Sequence, residues 1–364
     1  MTASLRLEDI APLGPHLGID EFLESLQQQE MSIFDVRSPQ EFYQNAIPTS
    51  LNVPILDDEE RRQVGICYKH VSKEKAISMA YEYAQKKEAD FLRAFAGQKK
   101  VIIYCWRGGG RSRYVAHLLR QKGIDAVFLQ GGQKAFRTRV YQALYIEKIN
   151  VLTLSGLTGV GKSELLELLQ KNYPEIPVLH IEKAAGHASS VFGEVRFKNR
   201  GINLPSSQEK FESHLYLQML PYFQHGKKII FLAEAESRKI GNFVIPPTLM
   251  QAIAQEEHIE ISCSLPLRIQ RLQEEYFPLS HPQAAQEISH ALEYLKRVLG
   301  GEKLQQYKNL IKEKKYADFL QRILLEYYDK NYRRMKKEAK AKVEYVSLLK
   351  AVEQVIKIYN DFKK

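Results

Sequence analysis

The stretch Val101-Ile102-Ile103-Tyr104-Cys105-Trp106-Arg107-Gly108-Gly109-Gly110-Arg111-Ser112 is an apolar run that ends at a cysteine and enters a glycine-rich loop. Val101 to Tyr104 predict a buried strand, and Val115, Leu118 and Leu119 recur at helical spacing after Ser112. The loop therefore joins a strand end to a helix start. Three glycines leave its backbone N–H groups open to an anion, while Arg107, Arg111 and the helix dipole add positive potential. Cys105 is expected to ionise readily there and to act as a nucleophile, with Arg107, Gly108, Gly109, Gly110, Arg111 and Ser112 as its anion cradle. A buried cysteine of merely structural use does not call for this surrounding.

The flanking sequence sets this loop in an α/β domain. A strand is predicted over Ser32–Val36, followed by Pro39 at a first helical turn, and a helix over about 73–95. After the cysteine loop come a helix, the short apolar run Ala126–Leu129, and Gln130-Gly131-Gly132 turning into another helix. Strands alternating with helices predict a doubly wound parallel sheet, with the loop at a strand's carboxyl end where such sheets bind ligands.

A second phosphate-binding signal begins after residue 145. Asn150–Ser155 is an apolar strand, Gly156-Leu157-Thr158-Gly159-Val160-Gly161-Lys162-Ser163 is a complete GxxxxGK[ST], and Glu164–Leu169 is helical. The motif stands in the strand–loop–helix context that it requires. Gly156, Gly159, Gly161, Lys162 and Ser163 are expected to bind a diphosphate, with Mg²⁺ on Ser163 where a metal is used. No dedicated metal site is read. Hydrolysis of a nucleotide would need an acid at a neighbouring strand end, and Glu234 or Glu236, after Ile229–Ala233, are the candidates.

The 364 residues allow two domains, and their composition, 44% hydrophobic and 26% charged, is that of a globular protein. A net charge of +10 favours a polyanionic partner. The three cysteines, Cys67, Cys105 and Cys263, are far apart, which argues against a disulfide framework or zinc site and for a reducing compartment. Neither a signal peptide nor a membrane span is read, so a cytoplasmic protein is expected. From Ala284 onwards the pattern is helical. Tyr327-Tyr328-Asp329-Lys330-Asn331-Tyr332-Arg333-Arg334-Met335-Lys336-Lys337 sets aromatic beside basic residues, as unpaired bases and phosphates would require, although a solvated helix face explains it equally. Tyr328, Tyr332, Arg333, Arg334, Lys336 and Lys337 are the candidate RNA contacts.

Asp35-Val36-Arg37, Glu41-Phe42, Asn52-Val53-Pro54, the cysteine loop and Gly131-Gly132-x-x-Ala135 resemble the rhodanese domain. More specifically, Glu59-Glu60-Arg61, Val64-Gly65-x-x-Tyr68-Lys69, Arg107-Gly108-Gly109-x-Arg111-Ser112 and Gly131-Gly132-x-Lys134-Ala135 resemble tRNA 2-selenouridine synthases. Gly186-His187-Ala188-Ser189-Ser190 and Glu234-x-Glu236-Ser237-Arg238-x-Ile240-Gly241 are similar to motifs of the same family, which raises His187, Glu234, Glu236 and Arg238 as supporting residues. The family usually has His-Arg-Gly-Ser where this chain has His-Ala-Ser-Ser.

The resemblance implies a transferase that replaces sulfur by selenium in 2-thiouridine at the tRNA wobble position. It implies selenophosphate as donor, a Cys105 perselenide, and an S-geranyl-2-thiouridine intermediate made from geranyl diphosphate on the P-loop in preference to ATP. A selenophosphate-supplying enzyme is an implied partner, and a monomer is favoured. Five residues separate Cys105 from Arg111, one more than sulfurtransferases of this fold usually have, which suits a tetrahedral phosphate. The expected organisation is a rhodanese-like domain over 1–145, a P-loop NTPase-like α/β domain over 146–275 and a helical, basic region over 276–364. Two alternatives stay open: a Cys-x5-Arg phosphatase or sulfurtransferase fused to an NTPase module, and a tRNA-binding nucleotide switch with an idle rhodanese domain.

Overall fold

A computed structural model describes residues 6–188, 190–201, 205–223, 229–255, 257–332 and 337–363. The chain divides into two compact units, Met1–Ala143 and Leu144–Lys364. Each is built on its own five-stranded parallel sheet.

In the first unit β1 (His16–Leu17), β2 (Ser32–Asp35), β3 (Leu51–Asn52), β4 (Lys100–Tyr104) and β5 (Asp125–Leu129) are arranged β1-β5-β4-β2-β3. The central β4 is buried on both faces, which is why Val101–Tyr104 read as an unbroken apolar run. Its outgoing loop feeds the Gly110–Gln121 helix, whose Val115, Ala116 and Leu119 pack with Phe34, Ile103, Phe128 and Cys105 itself in one core. The Asp58–His70 and Lys73–Lys86 helices cover the loop side of this core and begin at the side-chain caps Asp57 and Ser72.

In the second unit β6 (Val151–Ser155), β7 (Val178–Leu179), β8 (Phe231–Glu234), β11 (His258–Ser262) and β12 (Ala341–Glu344) form the sheet β12-β11-β6-β8-β7, beside a two-stranded hairpin of β9 (Lys239–Ile240) and β10 (Phe243–Val244). The P-loop strand β6 is central, so the loop opens at the sheet's carboxyl edge. One segment departs from the helical reading of the C-terminal part. Ala341–Glu344 is an edge strand paired in parallel with β11, and Leu348–Lys363 packs Val352, Val355 and Tyr359 into the P-loop core. With a single buried residue, Val343, the strand is made by its neighbour and not by its own pattern. Among the described residues no helix is long and apolar enough to cross a membrane.

Candidate functional site: a cysteine cradle and a clamped P-loop

Cys105 follows β4 directly and is buried, with its Sγ 3.2 Å from Ser112 Oγ in the first turn of the next helix. The N–H groups of that first turn have no partners within their own helix. Arg111 is turned towards Glu41, which accepts from Nη1 at 2.6 Å and Nη2 at 3.3 Å, and Arg61 lies 3.4 Å from the same carboxylate. Burial opposes the Arg111 charge, but Glu41 and the nearby Cys105 sulfur outweigh it, so this cation is fixed. Arg107 is exposed at the loop's outer edge.

The three loop glycines are not equivalent. Gly108 has φ of +63°, and a Cβ there would lie 2.3 Å from the Leu129 carbonyl, whereas Gly109 has open space around it and Gly110 meets only the flexible Leu7 side chain. The tight neighbour of the loop is the second glycine pair: a Cβ on Gly132 would lie 2.2 Å from the Cys105 carbonyl. Gln133 N–H donates to that carbonyl at 2.8 Å, Lys134 N–H donates to the Trp106 carbonyl at 2.9 Å, and the Gln133 side chain donates to Asn45. Asn45 in turn accepts from Arg37, which is paired with Asp35 at 2.6 Å in full burial. A polar chain thus runs from the Asp35-Val36-Arg37 segment to the cysteine loop. Gln133 in it had no signal except its place after two glycines.

Cys67 is buried on the Asp58–His70 helix, and Cys263 is half-buried beside Arg271.

The second site is formed by the P-loop. Lys162 Nζ donates to the Gly156 carbonyl at 2.9 Å, and Ser163 Oγ donates to Glu182 at 2.8 Å. Arg196 bridges Glu182 at 2.8 Å and Glu275 at 2.9 Å. Burial holds Lys162 below its ordinary value against the pull of Glu182, Glu236 and Glu234. Glu234 ends β8 with one oxygen accepting from Ile181 N–H at 3.2 Å and the other buried without a hydrogen-bond partner. Burial, then the charge of Glu182, push it up to about 8.

Glu234 is therefore a neutral acid at pH 7, and its native pKa lies above its unfolded one. Its contribution to stability is present in full below about 4.5 and is lost as pH rises through about 8. The thermal midpoint of the protein should fall between about pH 5 and 8 and level off above that, and Glu234→Gln should flatten the fall, as a pH series of melting curves on both proteins would read.

Other candidates divide. His187 lines the P-loop cavity, its ring set against Gly193 and Gly241, and Glu236 lines the same cavity. Arg238 is exposed before β9 and does not line it. Of the proposed RNA contacts, Tyr328 is turned inward, its ring edge-on to Phe192 at 6.3 Å and its hydroxyl buried. Tyr332 Oη accepts the Gly156 N–H at 2.8 Å. Both tyrosines take part in the P-loop unit's own packing and also line its cavity. Lys337 is exposed and 3.3 Å from Glu257; Arg333, Arg334 and Lys336 lie outside the described residues.

Sequence reasoning missed a clamp on the P-loop. Arg268 donates Nε to the Thr158 carbonyl at 2.8 Å and pairs in bidentate fashion with Asp329 at 2.6 and 3.0 Å. Arg271 donates to the Gly159 carbonyl at 3.0 Å and to Glu164 at 2.8 Å, and the Tyr345 hydroxyl donates to the Val160 carbonyl. Glu182 was also missed, although an acid just beyond the short apolar run Val178–Leu179 was a usable signal.

The cavity over the P-loop is about 1130 Å³. Gly156, Lys162, Ser163, Glu182 and Arg196 make one part of its wall, while Val191, Phe243, Met250, Leu272, Tyr276 and Tyr327 contribute apolar and aromatic surface. Such a wall suits a ligand with a phosphate head and an apolar body. Among the described residues no group of three or more His, Cys, Asp or Glu residues could hold a metal ion.

Comparison with known proteins matches residues 149–361 to the model of the tRNA 2-selenouridine synthase AAA domain, and residues 19–139 to the rhodanese-like domain. The chain belongs to the tRNA 2-selenouridine synthase family. Its relatives include the tRNA 2-selenouridine synthases of Nitrosomonas europaea, 33% identical over 77% of this chain and 72% of that protein, and of Pseudomonas fluorescens, 30% identical over 86% and 91%. That of Psychromonas ingrahamii is 27% identical over 92% and 96%. In this member of the synthase family, the matched AAA segment includes β12 and the last helix, in agreement with their place in the P-loop unit.

Proposed function

We propose that the protein forms 2-selenouridine in tRNA, replacing the sulfur of 2-thiouridine at the wobble position. The Cys105 thiolate attacks the selenium of selenophosphate, and the S–Se bond of a perselenide forms as the Se–P bond breaks with its electron pair leaving on phosphorus. The loop from Arg107 to Ser112 holds the phosphorus oxyanion before and after. The P-loop binds geranyl diphosphate in preference to ATP, and the resulting S-geranyl-2-thiouridine has the better leaving group. Ser163 and Glu182 would hold Mg²⁺ when it takes part, and the ion would offset the charge of the diphosphate. The basic stretch around Lys337, including Arg333, Arg334 and Lys336, would meet the anticodon-arm phosphates.

The observation that carries this reading is the P-loop cavity, whose wall joins the Lys162–Ser163 phosphate end to apolar and tyrosine side chains. A cytoplasmic setting, a monomeric chain and a selenophosphate-supplying enzyme complete the proposal. The test is incubation with 2-thiouridine tRNA, selenophosphate and geranyl diphosphate, followed by nucleoside mass spectrometry. Cys105→Ala should lose selenouridine while geranylated thiouridine accumulates, and Lys162→Ala should lose both. No modified nucleoside from the unaltered protein, together with turnover of an aryl phosphate, would overturn the proposal in favour of a phosphatase.

A further inference from the structure

The cysteine unit holds a second cavity, about 520 Å³, that opens at Cys105. Its interior is made by Ile55, Leu56, Val64, Ala76, Ile77 and Ala80, and its charges come from side chains with long stems such as Arg61, Arg107 and Arg111. Selenophosphate has no use for such a wall. A small tetrahedral anion is satisfied by the loop N–H groups and the arginines, and an aliphatic surface beside it is left without a partner. The size is that of a small-molecule site, and each methylene moved from water into such a wall contributes about 0.8 kcal/mol.

From this we infer that the cavity binds the isoprenoid chain carried on the sulfur of the tRNA substrate, holding it while the perselenide selenium bonds to the same carbon and the geranyl thiolate leaves with the C–S electron pair. An added thiol then cleaves the remaining Se–S bond reductively to release the product from Cys105. The inference rests on the proposed geranylated intermediate. Geometry ties the two together: the entering selenium and the departing sulfur share one carbon, so a substituent on that sulfur lies within a few bonds of Cys105. The roomy space that adjoins Cys105 is mostly apolar, with Tyr68, Tyr81, Trp106 and Tyr114 beside its aliphatic side chains. Recognition at this cavity is separate from the P-loop, which would hold the same chain earlier, as its diphosphate. Ala76 and Ala80, one turn apart on the Lys73–Lys86 helix, give the cavity its width, which a leucine or phenylalanine there would fill.

The test uses the full chain and synthetic anticodon stem-loops bearing S-geranyl- or S-methyl-2-thiouridine, so it does not depend on what the P-loop binds. The unaltered protein should selenate the S-geranyl substrate at least tenfold more efficiently in kcat/KM than the S-methyl one. Ala80→Phe, and more mildly Ala80→Leu, should erase that preference by raising KM for the S-geranyl substrate. Radioactive selenium bound to Cys105 from selenophosphate should remain at the unaltered level in both variants. Equal use of the two substrates by the unaltered protein, or a preference that survives both substitutions, would overturn the inference; the substrate comparison stands even if a variant does not fold. If the P-loop reading alone is wrong, geranyl diphosphate gives no product while the preference for the S-geranyl stem-loop remains.

Discussion

Gly132→Ala should abolish the proposed selenium transfer and destabilise the cysteine unit, although residue 132 carries no chemistry. The new methyl group would lie 2.2 Å from the Cys105 carbonyl, 2.7 Å from the Gly108 nitrogen and 3.0 Å from the Arg107 nitrogen. All three are backbone atoms of the cradle, so no side chain can swing aside. The φ of +55° adds the left-handed penalty of an L residue, about 1 kcal/mol, to an overpacking cost of about 1–3 kcal/mol. To relieve the contact the loop must move away, which breaks the Gln133 and Lys134 hydrogen bonds that hold it and displaces Cys105 from Ser112. Gly109→Ala is the control, because its Cβ meets nothing within 4 Å and its φ is −98°. It should change stability by less than about 0.5 kcal/mol. Chemical denaturation of the full chain, with selenium bound per protein, reads both effects. Equal behaviour of the two alanines would mean that the Gly132 contact does not shape the loop.

The same contrast marks how far the sequence could be read. Both phosphate-type loops were legible because strand, glycine loop and helix are contiguous, and contiguity is what periodicity and motif spacing report. Cys105 accordingly stands at a strand–loop junction, and Lys162 and Ser163 at a loop–helix junction. Which of the adjacent glycines is indispensable was not legible, since Gly108 and Gly132 are constrained by each other's loop across 24 positions. The aromatic-basic run shows where contiguity stops informing. Its local composition suits RNA, and it does not reveal that Tyr328 and Tyr332 also contact Phe192 and Gly156, residues more than 130 positions away. A local pattern names a face without naming what it faces. Glu182 and Arg196 escaped for that reason too, as their meaning lies in meeting Ser163 and Glu275.

Arg268→Ala should lose diphosphate binding and destabilise the P-loop unit, while Lys162→Ala should lose binding with a much smaller loss of stability. Arg268 is 4% exposed, and its guanidinium is shared between the Thr158 carbonyl of the loop and both oxygens of Asp329. Removing it leaves a mostly buried carboxylate and a loop carbonyl without their donor, a defect that costs about 3–5 kcal/mol. Arg268→Lys keeps the charge but offers no planar fork, so it should recover only part of the loss. Lys162 is the counter-case: burial already disfavours its charge and it gives the loop a single hydrogen bond, to the Gly156 carbonyl, so truncating it removes a phosphate ligand at a smaller cost in support. The clamp comes from a helix and a tyrosine-rich segment more than 100 positions beyond the loop, which makes loop geometry depend on the C-terminal part of the same unit. Melting temperature and protection by geranyl diphosphate separate the outcomes. If Arg268→Ala melts like the unaltered protein and still binds, the Arg268–Asp329 pair is surface decoration and the loop is set by its glycines alone.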